Sequence, residues 1–224
     1  MTEVKRSYDA TGRRAQAERT GKAIVTAARR LLLSEGYAAT TVARVASASH
    51  VSVELIYKRF GGKPGLVRAV VEAALRGAGQ VPAETRSDAL PAADGVSLVR
   101  GWGRLTAEVA PKVAPVLLLV RAAAAQHPEL LALAAELDDA RRVRMTANAR
   151  RLFDAGHVRP GLSVAKAADV MWTFSSPELY DLLVQRSGWD LEAYGAFVAD
   201  GLIAALLDVP APPVHGEQAQ GTFT

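Results

Sequence analysis

TTVARVASASHVSVELIYKRFGGKPGL, from Thr40 to Leu66, decides the reading of this chain. Val45 and Ala46 share one side of a short helix over about Val42–Ala48, for which Thr41 is a suitable N-cap. Ser49-His50-Val51 forms a corner. Ser52 then caps a second short helix that runs to about Phe60, with Ile56 and Phe60 on its inner face. Gly61-Gly62 breaks it, and a further helix begins near Lys63, where Pro64 is tolerated because first-turn amides have no partner inside a helix. The outward side chains are a hydroxyl, a phenol and several cations, a set that suits a polyanion.

Two short helices joined by a three-residue turn match the helix-turn-helix pattern. In that motif the second helix enters the DNA major groove and its leading residues meet base edges. Ser52, Val53, Glu54, Leu55 and Lys58 occupy the leading or outer face of that helix. Tyr57 combines an apolar ring with a hydroxyl that can reach a phosphate. Thr41 and Lys63 sit at helix N-termini, where free amides and the dipole favour an anion.

Charge agrees with this placement. Residues 1–76 hold 14 Lys/Arg against 6 Asp/Glu, a balance of +8, and residues 77–224 hold 13 against 17, a balance of −4. A basic first third on a mildly acidic remainder is expected of a polyanion-binding module joined to something else. There are no cysteines, which suits a reducing cytoplasm, the expected location. No apolar run approaches the roughly 18 residues needed to span a bilayer. The longest, Val113–Val120, contains a proline and stops at Arg121, so no membrane partner is expected. The polar N-terminus has no apolar core of a signal peptide and reads as a loose arm over residues 1–12.

Nearly every other segment has helical period, so the expected class is all-α with about nine helices. The first covers about Arg13–Glu35, with Gly36 as its stop. Residues 77–95, rich in Gly, Pro and Ala, read as a linker or loose loop. Helices are then expected over about 96–109 and 112–126, separated by Pro111 and Pro115, and over 128–155. One more starts after Ser163 and is kinked or split at Pro177. The last runs over about 191–207, capped by Asp190. Residues 210–224 read as a disordered tail.

The run A-T-T-V-x-x-V-A-x-x-x-x-V-S-x-x-x-I-Y-x-x-F-x-x-K-x-x-L, Ala39 to Leu66, resembles the DNA-binding domain of the tetracycline-repressor (TetR) family of bacterial regulators. Glu35-Gly36-Tyr37 at the end of the preceding helix matches too, and Ser176–Leu207 resembles the last helices of some members. The resemblance implies a DNA-binding domain over 13–76 and a helical effector-binding and dimerisation domain over 77–209. It implies that Thr41 caps its helix and touches a phosphate, and that Arg44 points to DNA. It also implies that Ser52, Val53, Glu54 and Leu55 start the recognition helix, that Tyr57 and Lys63 hold the backbone, and that Lys58 lies at the groove edge. His50 stands where the family usually has glycine, and Leu55 where it often has a small or hydroxyl residue.

The expected partners are a double-stranded DNA operator, a second copy of the chain and a small-molecule effector. A single recognition helix reads few base pairs, so a dimer is expected to place two heads one helical turn apart, about 34–36 Å. The spacing nominates Leu179, Leu182 and Leu183 for the dimer face, with Tyr194, Val198, Gly201, Leu202 and Ala205 on the last helix. The resemblance implies a four-helix bundle made by the last two helices of each subunit. Large apolar groups nominate an effector pocket: Trp102, Leu105, Leu117, Leu118, Met145 and Phe153, then Met171, Trp172 and Phe174. Arg121 would meet a polar group of the ligand. Any one of these residues is more often part of a plain core than of a pocket wall. The resemblance implies a repressor that the effector releases from DNA by a population shift. The alternative is an architectural DNA-binding protein that responds to no ligand.

An enzyme is not expected. There is no G-x-S-x-G elbow, and GGKPGL lacks the spacing of a phosphate loop. Of the four histidines, only His157, three residues after Asp154, has a metal-like spacing, and no third ligand stands nearby. No cofactor or metal is expected.

Overall fold

The computed structural model describes residues 5–208, with side chains from Gly12 onward. The expected tail over 210–224 and the first four residues of the expected arm lie outside the described residues. Ten helices follow in order: α1 Lys5–Ala39, α2 Val42–Ser49, α3 Val53–Phe60, α4 Lys63–Leu75 and α5 Ala83–Asp88. Then come α6 Gly95–Ala124, α7 Pro128–Asp154, α8 Val164–Phe174, α9 Pro177–Tyr180 with a wide π turn over Asp181–Arg186, and α10 Leu191–Leu206. The only strand-like feature among the described residues is one bridge, Val158 to Leu207. The class is all-α, as the periodicity requires.

Two apolar cores explain the assembly. In the first, Ile24, Ala28, Leu31 and Leu32 of α1 meet Val45, Ile56, Leu66, Val67 and Val70 of α2–α4. Its floor is Val113, Val116 and Val120 of α6 with Leu130 and Leu133 of α7. The second core joins α6 through Leu98, Val99 and Trp102 to Leu152 of α7, Met171 of α8 and the inner side of α10. Helices α6 and α7 therefore belong to both cores.

Four expectations are corrected. The loose arm over 1–12 is helical from Lys5. The linker over 77–95 contains α5, whose Ala83 and Ser87 are buried. Two arginines of α7 strap it down: Arg144 Nη2 donates to Ser87 Oγ at 2.8 Å and Arg151 Nη1 to the Ser87 carbonyl at 2.7 Å. Pro111 and Pro115 do not end a helix, because α6 runs through both. A proline inside a helix costs about 3 kcal/mol. Here the burial of Ala110, Val113, Ala114, Val116 and Val120 on either side of the prolines offsets that cost.

The fourth concerns α10. Tyr194, Val198 and Leu202, expected on a dimer face, are interior residues packed in the second core. Gly201 is also spent within the subunit, since a Cβ there would stand 2.4 Å from the Phe174 ring. The outward side of α10 is instead Ala193, Ala196, Phe197, Asp200 and Ala204.

Glu108 of α6 fastens the chain where it leaves α4. Its carboxylate accepts from Arg86 Nη1 at 2.8 Å and from the Ala78 amide. The Arg86 hydrogen bond, helped by that amide, holds the Glu108 carboxyl down at about 2. A depressed carboxyl contributes stability above its ordinary value of 4.5 and loses it as pH falls through about 2. Glu108→Gln is therefore expected to lower stability at pH 7, with the gap from the parent protein closing between those two pH values. Urea titrations at pH 7, 4 and 2 measure it, and an unchanged gap at pH 2 would contradict the assignment.

Candidate nucleic-acid interface

The helix-turn-helix is built by its own caps. Thr41 Oγ1 accepts from the Arg44 amide at 3.2 Å, and Ser52 Oγ accepts from the Leu55 amide at 3.2 Å. His50 turns the corner in the left-handed region, φ 55°, ψ 43°, a conformation histidine enters more readily than most residues. The Val51 amide then closes onto the Ala46 carbonyl at 3.0 Å. Gly61 at φ 74° and Gly62 at φ 123° turn the chain from α3 into α4.

This frame displays one face. Ile56 is fully buried, which fixes the rotation of α3. Ser52, Val53, Glu54, Leu55, Tyr57 and Lys58 are exposed, and Tyr57 keeps 54% of its surface. The Tyr57 ring lies across Gly62, where a Cβ would be 3.5 Å from it, so the phenol is aimed but not sealed.

Two of the residues expected to face DNA are partly engaged within the protein. Arg44 is half-exposed and pairs with Glu35, donating from Nη2 at 2.7 Å. Lys63 is half-buried, and its Nζ stands 3.7 Å from the centre of the Tyr37 ring. Burial lowers the affinity of Lys63 for its proton, and Glu129 of α7 partly restores it. Tyr37 in turn donates to Glu129 Oε1 at 3.1 Å and meets the His127 ring edge-on at 4.8 Å. Lys63, expected to hold the DNA backbone, is thus tied through Tyr37 to the start of α7. A second tie joins Arg68 of α4 to Glu136 at 3.0 Å.

Sequence reasoning missed Tyr37 in this role, and it missed Arg59. Arg59 Nη1 donates to the Ala17 carbonyl at 2.8 Å, locking the end of α3 against α1. The guanidinium fits only because residue 21 is glycine; a Cβ there would be 2.2 Å from Nη2. Both links join residues distant in sequence, so local pattern carries no signal of them.

The family profile "Bacterial regulatory proteins, tetR family" matches residues 24–70, which hold the whole helix-turn-helix just described. Over these residues the chain matches the DNA-binding domain of that family. It is 36% identical over 69 residues to the uncharacterised HTH-type transcriptional regulator YvkB of Bacillus subtilis (strain 168). That match covers 31% of this chain, and it spans only about a third, 36%, of the relative's length. Solved structures extend the fold over most of the chain. SmeT of Stenotrophomonas maltophilia in complex with triclosan has a TM-score of 0.65 at 19% identity, covering 87% of this chain and 95% of SmeT. NalD of Pseudomonas aeruginosa has a TM-score of 0.63 at 20% identity, covering 85% and 98%. FadR of Bacillus halodurans has a TM-score of 0.65 at 18% identity, covering 82% and 94%.

In this fold the residues nominated for an effector pocket separate into three groups. Trp102 and Met171 are buried in the second core, and Met145, Phe153 and Phe174 pack against it. Leu117 packs on the first core, and Leu105 and Leu118 are half-buried on α6. Arg121 and Trp172 belong to a polar network instead: Arg121 donates to Asp138 Oδ1 at 2.6 Å and pairs with Glu178, and Trp172 lies beneath Arg141. Arg141 was not nominated from the sequence. His157, weighed as a metal ligand, hydrogen-bonds the Ala92 carbonyl at 2.8 Å. Among the described residues no cluster of three or more His, Asp or Glu is placed to hold a metal ion, and no helix is long and apolar enough to cross a membrane.

Proposed function

We propose that this chain is a TetR-family transcriptional repressor, not an enzyme, which binds a palindromic operator as a homodimer and leaves it when a small molecule binds the helical body. The observation that carries the reading is the face of α3. Its inner residue Ile56 is wholly buried, and a hydroxyl, a carboxylate, two aliphatic groups, a phenol and a cation are displayed together outside. That is a base-reading surface flanked by phosphate ligands.

The relatives support the regulatory half. NalD is described as the secondary repressor of a multidrug efflux pump, SmeT as the repressor of another, and FadR as a regulator of fatty acid degradation. The shared core under the head supplies a route, since α6 and α7 support both the head and the body. A ligand that favours one α6–α7 arrangement changes the population of DNA-competent heads by its difference in affinity for the two states.

Selecting bound duplexes from a random pool tests the reading. The expected winner is a palindrome whose half-sites lie about one or two helical turns apart. Lys63→Ala is expected to weaken selected and unrelated duplexes alike and to flatten the log–log salt dependence by about 0.9. A non-palindromic winner would sink the dimeric reading, and a changed base preference would remove Lys63 from the backbone role.

A further inference from the structure

Arg141 lies between α7 and the break that separates α8 from α9. Its side chain is only 14% exposed, and its guanidinium stands 4.5 Å from the centre of the Trp172 ring. Nη1 donates to Ser175 Oγ at 2.9 Å and to the Trp172 carbonyl, and Nη2 donates to Asp138 Oδ1 at 3.2 Å. The Nε–H is buried and has no partner in the protein, and the Trp172 indole N–H is in the same condition. Leaving a buried donor unmet destabilises the fold, and such groups call for an explanation. Both unmet groups are donors, so what they lack is an acceptor.

The donor count points the same way. Oδ1 of Asp138 serves two guanidiniums, Arg141 and Arg121. Glu178 meets Arg121 from the solvent side, where its side chain is 48% exposed. Arg142 adds a third guanidinium 5.6 Å from the centre of the Trp172 ring, tied to Asp169. Burial weakens the hold of Arg141 on its proton, with Asp138 only partly offsetting it. The site is rich in forked donors matched to a carboxylate or sulfonate.

We propose that the Arg121–Asp138–Arg141–Trp172 cluster receives the acidic group of an anionic effector, which displaces Asp138 from the two arginines and accepts from Arg141 Nε–H and the Trp172 indole N–H. This rests on the reading of the chain as an effector-released repressor and names the chemical class of the effector. It also supplies a transmission step. Arg121 directly follows Val120, and Asp138 lies five residues beyond Leu133; both apolar residues belong to the floor of the head. Removing the Arg121–Asp138 tie unfastens α6 from α7 beside that floor.

The test uses the full chain and three acids, benzoate, 1-naphthoate and decanoate, each beside its uncharged amide, with binding followed by calorimetry. At least one acid is expected to bind about tenfold or more tighter than its amide. Arg141→Gln is expected to abolish that preference, Arg141→Lys to keep part of it, and Trp172→Phe to reduce it several-fold by deleting one donor. Asp138→Asn is the decisive variant. Removing the internal competitor is expected to tighten the acid about tenfold and leave the amide unchanged, which no purely structural role of Asp138 would do. Equal binding of acid and amide, weaker acid binding by Asp138→Asn, or no binding of any acid overturns the proposal. Operator release separates it from the functional reading. If acids bind at Arg141 and no compound changes DNA affinity, the effector-release reading falls and the acid site stands. If no acid binds and neutral or cationic compounds release the operator, the acid site falls and the reading stands.

Discussion

Gly65→Ala is expected to lower stability by about 3 kcal/mol or more and to abolish duplex binding. A Cβ at residue 65 would stand 1.7 Å from the Phe60 carbonyl oxygen and 2.8 Å from its carbon. Both obstacles are backbone, so no rotamer change relieves them. The chain leaves α3 at Phe60 and re-enters a helix at Lys63, with only Gly61 and Gly62 between, so the first turn of α4 rests on the last turn of α3. Separating the two helices would pull Leu66 and Val67 from the core they share with Ile56. The same motion would carry the Tyr57 ring away from Gly62 and detach the phenol from its support. Gly12→Ala is the control, because a Cβ there meets nothing within 4 Å and alanine favours a helix. Chemical denaturation measures both. A loss below about 1 kcal/mol in Gly65→Ala would show that the α3–α4 junction is looser than described.

The head was legible in the sequence because its signals are local. Thr41, Ser52, His50 and Gly61 act within four residues of themselves, so caps, corner and stop appear in the order of the chain. The body was legible only in outline. Pro111 and Pro115 read locally as breakers, and only the apolar burial of α6 on both cores keeps the helix whole. α10 is apolar around most of its circumference, so periodicity could not tell which side faces α6 and which faces out. The spacing nominated Leu202 and passed over Phe197; the first is interior and the second half-exposed. The partners of Lys63 and Arg141 are chosen by tertiary packing, through Tyr37 and Glu129 for the first and Asp138, Trp172 and Ser175 for the second. Chemistry of that kind is invisible to spacing rules.

Phe197→Glu is expected to turn the proposed dimer into a monomer and to remove cooperative operator binding. Phe197 is 40% exposed in the subunit and meets Trp189 at right angles, ring centres 5.5 Å apart, with Phe174 at 6.2 Å. Leu182 is exposed on the turn that precedes Trp189, and Ala193, Ala196 and Ala204 leave the outward side of α10 flat and apolar. Asp200 is the one charge among them, paired with Arg100 at 3.4 Å. Such a face fits a second copy of itself about a two-fold axis, where each residue is buried twice. Burying one phenylalanine side chain is worth about 1.5–3 kcal/mol. Phe197 keeps 40% of its surface in the subunit, so each copy contributes about 0.6–1.2 kcal/mol on association. Counted on both subunits, its loss weakens association by about 8- to 60-fold, before the desolvation and repulsion of the two new carboxylates. Val198→Ala is the contrast. Val198 lies in the second core, so its truncation is expected to cost about 2 kcal/mol of subunit stability and to leave the association constant unchanged. Sedimentation equilibrium and operator titration report the two effects separately. A Phe197→Glu protein that still sediments as a dimer would move the interface off this side of α10. A Val198→Ala protein that dissociates while remaining folded would restore the inward-facing stripe as the contact.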